Sequence, residues 1–229
     1  MTKKYVLLDD EIMTLQKEGE SIIVKRIQAL INIPRYGIVK GQKGGWVSGE
    51  HNLSQNGDAW IDKNAIVCDH AIVKDDAFIT GRAKVFDEAI VENKALVCGF
   101  AQVYNSARIS DHAIVCAFAH VYDEASICGN AHVEDLAQAF GRAVICDNAR
   151  LYGMAWAFGH AILSGYATVH YHAKVYDYAK VKDYADIYGK AIVYNRAIVH
   201  GNAVVCGSAQ ICRHARVNQG IRSHRWVIF

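Results

Sequence analysis

The sequence predicts an all-β protein wound as a parallel solenoid, and three observations carry that reading. From Ala59 to Ala215 an alanine returns every sixth residue, twenty-seven times, with no insertion or deletion. Two residues after each alanine stands Val, Ile or Leu, as in Ala65-Ile66-Val67, and only Ala139 and Ala157 break that rule. Two residues further on stands Gly, Asp or Asn in twenty-two of the units. Two inward positions separated by one outward position is the alternation of a strand. Gly, Asp and Asn tolerate the positive φ that bends a chain sharply. A fixed period means one unit stacked on its own copies, with a core buried only by neighbours. Short strand, corner, short strand and corner must then wind into a coil whose strands lie about 4.8 Å apart.

Residues 1–57 fall outside the period and predict a small β cap module. A strand at Tyr5-Val6-Leu7-Leu8 precedes a hairpin of Met13-Thr14-Leu15-Gln16 and Ser21-Ile22-Ile23-Val24 across Lys17-Glu18-Gly19-Glu20. After Ile27 to Ile33 and the only proline, Pro34, comes a glycine-rich approach that includes Gly44-Gly45-Trp46-Val47. An open solenoid end exposes its core and an unpaired edge, and this module is placed to cover both. Residues 58–220 form the array. Residues 221–229, ending Arg225-Trp226-Val227-Ile228-Phe229, are apolar and strand-like, fit for a second cap or a dimerisation strand.

The array resembles the hexapeptide-repeat left-handed β-helix. More specifically, Arg26-Ile27-Gln28-Ala29-Leu30, Gly44-Gly45-Trp46-Val47, Asn52-Leu53-Ser54 and Gly57-Asp58-Ala59-Trp60 are similar to YdcK-like proteins, bacterial and phage-encoded members of that class. The resemblance implies a single-stranded left-handed parallel β-helix with three hexapeptides per coil. Eighteen residues per coil then give about nine coils and a prism of roughly 43 Å. It also implies an acyl-CoA-dependent acyltransferase with its site between subunits, a label that rests on fold analogy and is a weak warrant for activity. Such enzymes, as the resemblance has it, carry or shelter a catalytic histidine on a loop extruded from the helix. This array keeps phase throughout and extrudes none.

Composition narrows the classes further. A formal charge of +2 neither demands nor excludes nucleic acid, and no basic side chains interleave densely with the aromatics. Nucleic acid therefore ranks last among partners. No eighteen-residue apolar run exists, and Met1-Thr2-Lys3-Lys4 leads into Tyr5 without a signal-peptide core, so a soluble, cytoplasmic protein is expected, with no membrane partner. All seven cysteines follow an aliphatic position directly, which is a packing register. The CxxC spacing of metal sites is absent, so no metal or cofactor is expected. Cys98 beside Cys116 and Cys128 beside Cys146 are near enough to bridge, but reduced thiols suit the compartment and the odd count.

Sorting outward positions by coil gives three unlike faces. One stacks Phe86, Tyr104, Tyr122, Phe140, Phe158, Tyr176 and Tyr194, an aromatic ladder between Cys68 and Cys212 that stabilises parallel strands. Phe140 and Phe158 follow Ala139 and Ala157 and are expected to turn inward to fill the space left there. Another face carries Trp60, Phe78, Leu96 and Ile114 at its flat position and Phe100, Phe118, Leu136 and Met154 at its corner. A contiguous apolar patch of that size marks an interface. The cap could fold back over Trp60 and Phe78, but it reaches Phe118 to Met154 less readily. With Trp226 and Phe229 these residues form the expected protein interface. The third side is mixed and polar.

Eleven histidines scatter over the faces. Only His170 and His172, around Tyr171, form a local pair, the base of an acyltransferase if the protein is one, or part of a zinc site for which His200 is a poor third ligand. The reading favoured by the sequence is a non-enzymatic protein-binding solenoid, a homo-oligomer (dimer or trimer). A phage-encoded origin would extend this to a host protein or defence complex. The alternative is the acyltransferase.

Overall fold

The computed structural model describes residues 3–17 and 19–220, with the backbone of 227–228. Each hexapeptide contributes one two-residue strand, from Trp60–Ile61 to Arg216–Val217. Residue i pairs in parallel with residue i+18, as Gln102 does with His120 and Val103 with Val121. Every third strand therefore joins the same sheet, and three sheets enclose the core. Face 1 runs from Ile66–Val67 to Gln210–Ile211, face 2 from Trp60–Ile61 to Val204–Val205, and face 3 from Ile72–Val73 to Arg216–Val217. Each holds nine array strands, which makes nine turns. Both inward positions of every repeat are buried, and all the array alanines from Ala59 to Ala209 are fully so.

The corners explain the period. At every sixth residue from Asp69 to Arg213 the backbone has positive φ, between 56° and 73°, without exception. This includes Ala117, Tyr171 and Arg213, which pay the steric cost of the left-handed region without glycine's freedom. Asp and Asn tolerate that region and do a second job. Asp69 Oδ2 accepts the Asp87 backbone N–H at 3.1 Å, and Asp123 Oδ2 accepts that of Gly141 at 3.0 Å. The same bond to the next coil recurs at nine further corners.

The ladder also has a direction. Array N–H groups donate to carbonyls one coil later, as Ile66 N does to Ala83 O at 3.0 Å and Cys68 N to Val85 O at 3.0 Å. Carbonyls therefore face the N-terminal end, which must be supplied with donors. The head module supplies them. Strand β1 (Tyr5–Lys17) pairs antiparallel with β2 (Glu20–Ala29), and β2 pairs antiparallel with β3 (Lys43–Val47). Strand β3 then lies parallel to Ile66–Val67 as the first strand of face 1. Lys4 Nζ donates to Ala59 O at 2.9 Å and Gly57 O at 3.1 Å. Tyr5 Oη donates to Leu53 O at 2.6 Å, and Asn52 Nδ2 to Ala71 O at 2.9 Å. All three side chains are buried.

Three expectations need correction here. Tyr5–Leu8 and Met13–Gln16 are parts of one strand, β1, with a register shift between Leu8 and Ile12. The coil also begins before residue 57, because Val47 pairs with Val67 and Leu53 bridges Val73, both twenty residues apart. Two extra residues before Trp60 hid that turn from a strict six-residue count. Gly45 takes the slot of the first alanine, where a Cβ would come 2.5 Å from Ile61 Cγ2 and 2.6 Å from Ala65 O. Finally, Phe140 and Phe158 do not turn inward. They stack at 4.8 Å with parallel planes, in line with Tyr122 and Tyr176, and inward rotation would break both stacks. At the other end Val227–Ile228 pairs with Gln210–Ile211, extending face 1 by one strand. Trp226 and Phe229 lie outside the described residues.

Two predictions follow from corners and cap. Asp135, in the corner column of Ala117, accepts the Gly153 N–H at 3.0 Å, a bond Ala117 cannot make to Asp135. Ala117→Asn is expected to stabilise the fold by about 1 kcal/mol in urea unfolding, and a loss would contradict the corner account. Burial pulls the Lys4 ammonium down from 10.5 to about 8, partly offset by Asp58 and Asp76. Between those values the unfolded chain holds more protons, so this residue's contribution to stability rises as pH climbs through the window. Lys4→Met is expected to cost about 2 kcal/mol at pH 7 through unpaired carbonyls, and the wild-type advantage should widen by pH 9.5. Equal unfolding midpoints at pH 7, or an advantage that narrows as pH rises, would contradict the cap.

Candidate docking face

Face 1 presents three outward columns, each repeating every eighteen residues. Before the strands runs a corner column from Asn64 to Ser208, along the strands a flat column from Ile66 to Gln210, and after them the aromatic column from Cys68 to Cys212. The corner column is apolar at its centre. Phe100 and Phe118 stack at 4.9 Å, and Leu136 and Met154 continue the row. These four are 46%, 51%, 49% and 49% exposed. Beside them, over the flat residues His120, Gln138, Trp156 and Lys174, lies a groove of about 510 Å³ that His172 also lines.

The aromatic column runs beside the flat residues, on the side away from the corner row. From Phe86 through Tyr104, Tyr122, Phe140, Phe158 and Tyr176 to Tyr194 the rings stack with centroids 4.7 to 5.3 Å apart. Its members brace the floor: Tyr104 meets His120 edge-on at 6.3 Å, Phe140 meets Trp156 at 6.3 Å, and Tyr122 Oη reaches Gln138 Oε1 at 3.3 Å. Burial pulls the His120 imidazole below its usual pKa, favouring the neutral ring.

Above the first coils the β1–β2 hairpin roofs the same face. Lys17 Nζ pairs with Asp69 Oδ2 at 2.7 Å and with Asp87, and lies 5.0 Å from the Phe86 ring centre. Although burial pulls the Lys17 ammonium down, these two carboxylates outweigh it and raise its pKa. A cleft of about 380 Å³ remains between the hairpin and Ile66, Lys84 and Gln102. Gln102 pairs with His120, so the cleft leads into the open groove.

The structure divides the apolar patch expected from the sequence. Trp60 is fully buried beneath β3, where a Cβ on Gly44 would touch its ring at 2.6 Å. Phe78 stacks on Tyr36 at 4.3 Å. Leu96 and Ile114 are half-buried on face 2, across the corner from Phe118, Leu136 and Met154, which belong to the groove of face 1. Period counting had placed the corner residues with the strand before them, whereas their side chains line the groove with the strand after. Lys84, His120, Gln138, Trp156 and Lys174 were missed for the same reason.

His170 and His172 do not form a pair. His170 Nε2 meets Asp186 Oδ1 at 3.0 Å and its ring stacks on Tyr152 at 4.7 Å, while His172 lines the groove around the corner. Thr168 Oγ1 donates to the same Asp186 oxygen at 2.6 Å. Among the described residues, no three His, Cys, Asp or Glu side chains converge to hold a metal ion, no disulfide joins the cysteines, and no helix is long and apolar enough to cross a membrane. Burial pushes the Cys116 thiol up to about 12 and Cys146 to about 11, which disfavours thiolate chemistry there. No protein-family model matches the chain, and no curated protein matches it.

The ring stack and the groove separate experimentally. Phe140→Ala removes one ring from mid-stack and is expected to cost about 2 kcal/mol in urea unfolding. A loss below about 0.5 kcal/mol would mean that the stack does not hold the coils together.

Proposed function

We propose that this protein is a non-catalytic docking scaffold that presents the groove of face 1 to a partner protein. The observation that carries the reading is the half-exposed row Phe100, Phe118, Leu136 and Met154 standing over a groove on a rigid wall. Contiguous apolar surface of this kind is where proteins meet partners. His170, taken up by Asp186 and Tyr152, and His172, facing the other way, give the acyltransferase reading no assembled base and acceptor site.

Self-association through the divided patch loses Trp60 and Phe78, which the chain itself covers. A foreign protein is therefore the favoured partner. Kinship with YdcK-like proteins, a phage origin and action on a host defence complex rest on the quoted residue strings and stand as part of this proposal. A photo-crosslinking residue at Gln138 is expected to give a discrete protein adduct in the cell of origin, abolished by Leu136→Asp. The same residue at Arg108 on face 3 is expected to give none. Equal adducts from both sites, or none from either, would remove the docking reading. Saturable binding of acetyl-CoA at or below millimolar concentration would restore the acyltransferase.

A further inference from the structure

Face 1 differs from the rest of the surface in charge. The chain has 23 Asp and Glu residues, yet none of the twenty-seven residues in the three outward columns of face 1 is one of them. Its cations sit at the two ends of the apolar row. Arg82 and Lys84 lie at the head, with the Arg82 guanidinium over the Phe100 ring at 5.6 Å. Lys174 and Lys190 lie at the far end, with the Lys174 ammonium over Trp156 at 4.2 Å. Lys84 and Lys174 are five coils apart, about 24 Å at the usual strand spacing.

From this we infer that the groove receives an amphipathic α-helix with an apolar stripe at its middle and carboxylates near both ends. The inference rests on the docking reading above and names the partner's chemistry. Three arguments select this occupant. The backbone of the wall is already paired, rung to rung, so a guest strand would find no ladder to join and would leave its own N–H and C=O groups against apolar side chains. A helix satisfies its own backbone and offers side chains alone. The size fits as well. A span of about 24 Å corresponds to about sixteen helical residues.

Charge decides against a second copy of the same face. Two such faces packed around a two-fold axis would set Arg82 and Lys84 of one against Lys174 and Lys190 of the other, with no carboxylate on either face to separate them. Like charges so placed oppose association. A helix with Glu or Asp near its ends meets all four cations with opposite sign and buries its stripe on Phe118, Leu136 and Met154.

The test is a selection. A displayed library of eighteen-residue helical peptides, each position varied among Ala, Leu, Phe, Glu and Lys, is panned on the full-length protein and counter-panned on Leu136→Asp, checked by circular dichroism to be folded. Enriched peptides are expected to carry apolar residues at i, i+3 or i+4 and i+7, with Glu near both ends. Anisotropy with the synthetic peptides should show at least tenfold weaker binding to Leu136→Asp. The double variant Lys84→Glu, Lys174→Glu should bind them at least tenfold more weakly and prefer Lys-ended versions.

The inference is overturned by no enrichment over the counter-selection, by enriched peptides with basic ends, or by affinities that survive Leu136→Asp. A twenty-nucleotide single strand that displaces the peptides at lower concentration than they bind would overturn it too, in favour of nucleic acid. If a parallel library of proline-containing extended peptides binds in a Leu136-dependent way, or the protein self-associates through Leu136, the docking face stands and the helix alone falls. If none of these binds and the Gln138 crosslinks also fail, both fall.

Discussion

The structure depends on a backbone constraint at its corners. A left-handed residue every sixth position from Asp69 to Arg213 turns the chain by the same amount each time, so within the array residue i lies against residue i+18. The constraint is strong enough that Ala117, Tyr171 and Arg213 adopt it despite their side chains. Where the corner residue is Asp or Asn, its side-chain oxygen also takes the N–H of the next corner, so conformation and cohesion come from one residue type. The aliphatic core fills what the corners enclose.

Function follows from that regularity by a short route. Since register does not slip within the array, any outward position there becomes a straight column, and a column can acquire one chemical character over its length. The aromatic column is held by ring stacking, and its rings brace the floor of the groove through His120, Gln138 and Trp156. The corner column is left half-exposed at its apolar centre. In the docking proposal, a wall whose columns are fixed by register meets a preformed element without rearranging.

The solenoid was legible in the sequence because six-residue periodicity is a direct imprint of the corners, and Asp69, Gly81 and Asn93 announce themselves by type. The first coil was not legible, since Gly45 stands where alanine should and two extra residues precede Trp60. The ring stack could be read from spacing alone, but the direction of Phe140 and Phe158 could not: the gap beside Ala139 argued for inward rings, and stacking on Tyr122 and Tyr176 outweighed it. The groove was half legible. Phe118, Leu136 and Met154 stood out as exposed apolar residues, yet which strand they flank depends on side-chain direction at a corner, which a period does not contain. The covering of Trp60 by Gly44 and of Phe78 by Tyr36 is a tertiary event between segments far apart in sequence.

That face 1 is where a partner docks can be tested most directly through its methionine. The chain has three, Met1, Met13 and Met154, and among the described residues only Met154 lines the open groove. With ¹³C-methyl methionine labelling, titration with a selected helical peptide is predicted to shift and broaden the Met154 methyl signal saturably. Binding that leaves Met154 unmoved would place the docking surface elsewhere and contradict the account.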